Sequence, residues 1–209
     1  MKMNNKYIIG VSGASGALYA GSLLRTLTLN TPGTSALIVS DAALRVYREE
    51  IKSDIRSENA YLEHVLKEIP GNKRMHQFQI FSSNDIGGAP ASGSAGYDGM
   101  VIVPCSMKTL SSIASGLASN LMERAADVCL KERKKLILVP RETPYSMIHL
   151  QNMMNLTRAG TVILPASPGY YHKPKTLDDL GNFITSKILS QLGIAYNQSV
   201  KWDGDTETA

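Results

Sequence analysis

The chain has 209 residues, 43% of them hydrophobic, which is enough for one well-buried core and little more. Its 22 Lys and Arg exceed its 18 Asp and Glu by four, and the basic residues are spread along the chain with no aromatic-interleaved stripe, which suits a small anionic ligand better than nucleic acid. Cys105 and Cys129 form no CxxC pair, the N-terminal apolar run is too short for a signal peptide, and no segment approaches the ~18 uncharged residues of a membrane span. The expectation is a single-domain cytoplasmic protein, with the domain over residues 1–195 and a polar tail over 196–209.

Six short β-branched runs alternate with helical patterns: YIIGV (7–11), SALIVS (35–40), HQFQIF (76–81), GMVIVP (99–104), KLILVP (135–140) and TVILP (161–165). Strands that are apolar on both faces and separated by helices predict an α/β fold, a parallel sheet covered on both sides. Ligands of such sheets bind beyond the carboxyl ends of the strands. The segments expected there are SGASG, SDAA, the long SSNDIGGAPASGSAGYD, CSMKT, RETP and ASPGYYHKP. Their hydroxyls, small residues and backbone amides make a pocket for an anionic, multi-ring ligand, although Ser and Thr are also ordinary helix caps.

The first of these loops, GVSGASGALYAG (10–21), feeds a helix marked by Leu18, Leu23, Leu24 and Leu27. Its N-terminus is expected to present free N–H groups to a phosphate, with Gly13 and Gly16 allowing close approach and Ser12 and Ser15 adding hydroxyls. The loop is neither GxGxxG nor a Walker loop. In NLMERAADVCLKERKK (120–135), Arg124 and Lys131 lie seven residues apart on one helix face, and in the fifth segment Arg141 and Glu142 place opposite charges at the end of a central strand. In the last helix Lys187 falls inside the apolar stripe of Leu180, Phe183, Ile184 and Ile188, so that either its stem snorkels past the core or its ammonium meets an anion.

Two apparent motifs are set aside. Tyr171 to Lys175 matches YxxxK, but Pro174, Pro168 and Gly169 argue against the helix that motif needs. Asp178-Asp179 lacks a DDxxD continuation, and Thr176 to Asp179 reads as a helix N-cap. His64, His76, His149 and His172 show no metal-ligand spacing, so no metal site is expected.

GxSGASG, SxAA, PASGS, PCSxKTL, ERAADVxLKER, VPRETPxSxxHLxNM and PGYYHxP, in this order from about Ile8 to Trp202, resemble the UbiX flavin prenyltransferases. The wider flavin-dependent cysteine decarboxylase group is similar, but it shows PASANT where this chain has Pro90-Ala91-Ser92-Gly93-Ser94 and uses a histidine near the second helix that this chain lacks. A flavin-dependent decarboxylase is therefore the alternative reading.

The resemblance implies a Rossmann-like or flavodoxin-like fold. It also implies transfer of dimethylallyl from dimethylallyl monophosphate to N5 and C6 of reduced FMN, without a metal. The prenylated product would serve a UbiD-type decarboxylase of ubiquinone precursors or aromatic acids. By motif, Gly13, Ala14, Ser15, Ser40, Ser106, Met107, Lys108, Thr109 and Arg141 would hold FMN. Ser92, Gly93, Arg124, Lys131, Tyr171 and Lys187 would hold the prenyl phosphate, and Glu142, with Ser15 and Glu50, would move protons. The family's sites lie where three subunits of a dodecamer meet. Ile86 stands where relatives have Trp, Asp41 where Lys is frequent, and Trp202 in the tail is a candidate cover for the site.

Overall fold

The computed structural model describes residues 5–196. The elements are β1 (Tyr7–Val11), α1 (Ala17–Asn30), β2 (Gly33–Val39), α2 (Asp41–Ile51), α3 (Glu58–Leu66), β3 (His76–Ser82), β4 (Gly99–Cys105), α4 (Met107–Ala114), α5 (Leu121–Lys131), β5 (Lys135–Pro140), α6 (Met147–Arg158), β6 (Val162–Ile163) and α7 (Leu177–Leu192). The strands form one six-stranded sheet in the order β3-β2-β1-β4-β5-β6, and every pairing is parallel. Side-chain alternation along the strands divides the core in two. Ile9, Val11, Leu37, Val39, Val101 and Ile137 face α1, α2, α3 and α7, whereas Ile8, Ala36, Ile38, Met100, Ile102 and Leu138 face α4, α5 and α6. Both faces are covered, which is why the strands read as continuous apolar runs.

Two strand boundaries move from those expected. β2 begins at Gly33 and stops at Val39, leaving Ser40 as the N-cap of α2, where its hydroxyl accepts from the Ala43 N–H at 3.1 Å. β6 shrinks to two residues paired with β5 alone, an edge position closed by Pro165, which has no N–H to donate. Thr176 caps α7 in a reciprocal box with Asp179, and Asp178 pairs with Arg25 at 3.1 Å, so both aspartates have structural work. Tyr171 to Lys175 precede α7 in a non-helical segment. Tyr171 and Lys175 therefore cannot act as a helical YxxxK pair.

The chain winds outward in opposite directions from β1 and β4, which lie side by side. In a doubly wound sheet this reversal opens a crevice between the loops after those two strands.

Candidate active site

Ser12 closes the floor of that crevice. Its buried Oγ donates to the Pro104 carbonyl at 3.0 Å and accepts from the Ser106 N–H at 2.7 Å, tying the β1 loop to the β4 loop. The expected role of Ser12 as a phosphate donor is thereby corrected, since both hydrogen-bonding directions of its hydroxyl are used internally. Above it lies a cavity of about 300 Å³ between Gly13, Ser40 and Ala42 on one side and Ser106, Lys108, Thr109 and Asn120 on the other. Gly13 is required by packing, since a Cβ there would come within 2.5 Å of the Ala42 Cβ. Ser106 caps α4 by accepting from the Thr109 N–H at 3.2 Å and donates to the Thr109 hydroxyl at 3.1 Å. Met107 is buried in the core beneath them, so only its backbone is available to a ligand.

The N-terminus of α1 differs from the expectation. Gly16, at φ 112°, offers no side-chain cap. Instead Glu50, reaching across from the end of α2, accepts from the Gly16 N–H at 2.9 Å and from the Ala17 N–H at 2.7 Å. These amides are therefore not free for a phosphate; a carboxylate already meets the positive end of the helix. Burial works to raise the Glu50 carboxyl, but the Ser15 hydroxyl, the Ala17 and Gly16 amides and the Arg141 charge outweigh it and hold the group below its ordinary value. Arg141 Nε donates to the Ser15 carbonyl at 3.2 Å, leaving other guanidinium N–H groups for an anion. Ser15, Glu50 and Arg141 thus meet at the mouth of the crevice. Glu142, next to Arg141 in sequence and half-buried, accepts from the Thr143 N–H at 3.0 Å. Arg141 and Glu142 form no ion pair with each other among the described residues.

The six residues matched to the prenyl phosphate do not gather in one chain. The loop after β3 leaves the carboxyl edge, and Gly93 lies against Glu132 so closely that a Cβ would approach its Oε1 to 2.5 Å. The Gly93 carbonyl accepts from Lys134 Nζ at 3.1 Å, and that of Ala95 from Lys6 Nζ at 2.6 Å. Lys6 and Lys134 immediately precede β1 and β5, so Ser92, Gly93 and Lys131 sit at the amino edge of the sheet. The seven residues of β4 separate them from the crevice by ~20 Å. Lys131 pairs with Glu132, and Arg124 pairs with Asp127 at 2.9 Å, one turn along α5. Tyr171 and Lys187 do come together, around Phe183: the Tyr171 ring lies 5.8 Å from it and Lys187 Nζ 5.4 Å from its centroid. Lys187 is exposed, so its stem passes the apolar stripe and its charge reaches solvent.

Ile86 is exposed in the β3 loop, and Asp41 occupies the first turn of α2, where a negative charge suits the helix dipole. Trp202 and residues 197–209 lie outside the described residues. Among the described residues no group of three or more His, Cys, Asp or Glu could hold a metal ion, and no helix is long and apolar enough to cross a membrane. The structure adds one residue to those the sequence points to. Glu123, in the first turn of α5, has a fully buried side chain and pairs with Lys108 at 2.8 Å. Its signal in the sequence is the Asn120-x-x-Glu123 capping pattern, and the Asn120 side chain does accept from the Glu123 N–H at 3.0 Å.

Known proteins resemble this chain over most of its length. The Flavoprotein family model matches residues 1–189. The flavin prenyltransferase UbiX of Alkalihalophilus pseudofirmus is 44% identical over 195 residues, 93% of this chain and 94% of that one. A solved dodecameric FMN-dependent UbiX-like decarboxylase from Escherichia coli is similar at TM-score 0.82 and 35% identity, covering 95% of this chain and all of the other. AnUbiX, solved with FMN and dimethylallyl pyrophosphate, is similar at TM-score 0.82 and 34% identity, covering 96% and 98%. Motif order, sheet order and these similarities agree: the chain belongs to the UbiX family of flavin prenyltransferases.

Proposed function

We propose that this protein transfers a dimethylallyl group from dimethylallyl monophosphate to N5 and C6 of reduced FMN, producing the prenylated flavin that a UbiD-type decarboxylase uses. The observation that carries this reading is the meeting of Ser15, Glu50 and Arg141 at the switch-point crevice, above a cavity walled by hydroxyls and one ammonium. At about 300 Å³ the cavity lies at the small end of ligand pockets, which suits one end of a flavin nucleotide with the ring system lying beyond it. The reduced flavin supplies the electron-rich ring atoms.

The chain's own residues do the rest. Gly13, Ala14 and Ser40 line one side of the nucleotide, and Ser106, Met107, Lys108 and Thr109 the other, while Arg141 neutralises negative charge at the mouth. Glu142 would move a proton as the ring closes, since the prenyl double bond takes up one proton when its electrons open and C6 loses one when the new carbon–carbon bond forms; Ser15, whose hydroxyl bonds to Glu50, would assist. Cations stabilise the departing phosphate, so that no metal is needed. Since Ser92, Gly93 and Lys131 lie at the opposite edge of their own sheet, they complete the crevice of a neighbouring copy, as does Arg124, whereas Tyr171 and Lys187 act on their own. The assembly is a closed homo-oligomer, on the pattern of the dodecameric relative. Residues 1–195 constitute its single domain, 196–209 its tail, and the cytoplasm its compartment.

Incubation of the anaerobic protein with reduced FMN and dimethylallyl monophosphate is expected to consume both, and mass spectrometry should find the flavin heavier by one prenyl unit. Intact FMN after full reduction would defeat the proposal. Dimethylallyl pyrophosphate in a parallel reaction tests the donor preference.

A further inference from the structure

Lys108 is the single charged side chain on the wall of the cavity, and it does not stand alone. Its Nζ lies 2.8 Å from Glu123 Oε1; the lysine side chain is 72% exposed, the glutamate 0%. The other carboxylate oxygen accepts from the Ser119 N–H at 3.0 Å. One carboxylate therefore ties together α4, through Lys108, and the segment ahead of α5, through Ser119 beside the cavity-lining Asn120. Burial works to raise the Glu123 carboxyl, but Lys108 and the amide of Ser119 outweigh it and keep the group ionised.

Burying the Glu123 carboxylate is an expensive way to fill space, because a charge taken out of water costs free energy that an apolar side chain of similar volume does not. What the pair provides is placement. Lysine carries three N–H donors on a flexible stem. One donor is spent on Glu123, and the other two remain on an ammonium whose position is already set. Ordering that stem in advance lowers the entropic cost of binding an anion there.

We propose that Glu123 is a positioning residue of the cavity: its buried carboxylate holds the Lys108 ammonium and the Ser119–Asn120 turn so that Lys108 meets the phosphate of the flavin nucleotide. The proposal rests on the reading that this chain binds FMN.

The test compares FMN with riboflavin, which lacks the phosphate, by flavin fluorescence titration of the full-length assembled protein and its Lys108→Met, Glu123→Gln and double variants. The native protein is expected to prefer FMN. Lys108→Met should reduce that preference by about tenfold or more, the range of a hydrogen bond to a charged group. Glu123→Gln should reduce it in the same direction, and the double variant should match Lys108→Met within about twofold, since coupled residues do not add. An unchanged preference in Glu123→Gln would overturn the proposal, as would an equal loss of both flavins, the signature of a purely structural residue. Should Glu123→Gln not fold, Glu123→Asp keeps the charge but draws the carboxylate back by one methylene. A lowered FMN preference is then expected, and a native preference would overturn the proposal. Failure of the native protein to bind either flavin would strike at the FMN reading itself, whereas an unchanged ratio in the variants strikes at Glu123 alone.

Discussion

His76, at the start of β3, is buried between the Thr31 carbonyl and the Ser35 hydroxyl, each 2.8 Å from a ring nitrogen. A carbonyl can only accept, so Nδ1 carries the proton and Nε2 accepts from Ser35, which in turn accepts from the Tyr7 N–H at 3.1 Å. The neutral ring is required, and burial pushes its pKa down despite the opposing pull of the Thr31 bond. The unfolded chain, with an ordinary imidazole near ~6.5, therefore binds more protons than the folded one below that value. Stability is full above it and falls as the pH drops towards the depressed folded value. Thermal melting midpoints are expected to decline over that interval, and His76→Gln should flatten the decline while costing about 1–2 kcal/mol. At this scale Ser12 shows the limit of reading residue types. A serine in a glycine-rich loop signals a hydroxyl, but whether that hydroxyl faces a ligand or a neighbouring carbonyl depends on a strand 92 residues away in sequence.

Elements were legible where burial leaves one solution. β1, β4 and β5 are central and apolar on both faces, and their runs in the sequence coincide with the strands to within a residue. The run TVILP is longer than β6 because an apolar run does not reveal that it lies at an edge with one partner. The start of α1 differs for a related reason. Local pattern predicts a helix end with open amides, whereas the carboxylate that fills it comes from Glu50, at the far end of α2. The most consequential joint between elements is the Ser12 latch. Ser12→Ala leaves the Ser106 N–H at the crevice floor without its partner, and should cost ~1–3 kcal/mol in urea unfolding. Ser12→Thr, which keeps the hydroxyl, should recover most of that loss. No difference between the two variants would mean that the latch contributes nothing.

At the scale of the whole molecule, a proposed site is divided between the two edges of one sheet. Gly93 and Lys131 lie ~20 Å from the crevice of their own chain, so in the proposed site they would serve the crevice of a second copy. α6 supports such an arrangement: a single residue of this helix, Leu156, is buried, while Met147 and Ile148 are 78% and 69% exposed, with Leu150 and Met154 also open. Covering apolar side chains of this kind is what subunit contacts do. Ile148→Asp is expected to reduce the assembly, seen by light scattering, and to abolish prenyl transfer with it. Glu142→Gln and Lys131→Ala should each be inactive alone, yet equal mixtures refolded together should regain about a quarter of native activity if two chains contribute to each site. No recovery in properly assembled mixtures would place both residues in one chain's site.

Sequence alone determined the α/β class, four of the six strands to within a residue, the N-cap of α7 and, through its ordered motifs, the family. These follow from local physics and from short segments whose residues act on their neighbours: alternating burial, capping hydroxyls, prolines that end strands. Tertiary structure decided which hydroxyls are free, that Glu50 closes α1, that Glu123 stands behind Lys108, and that Gly93 and Lys131 lie at the edge opposite the crevice. Each depends on a contact between residues far apart in the chain, and no periodicity in the sequence records the distance at which such residues meet.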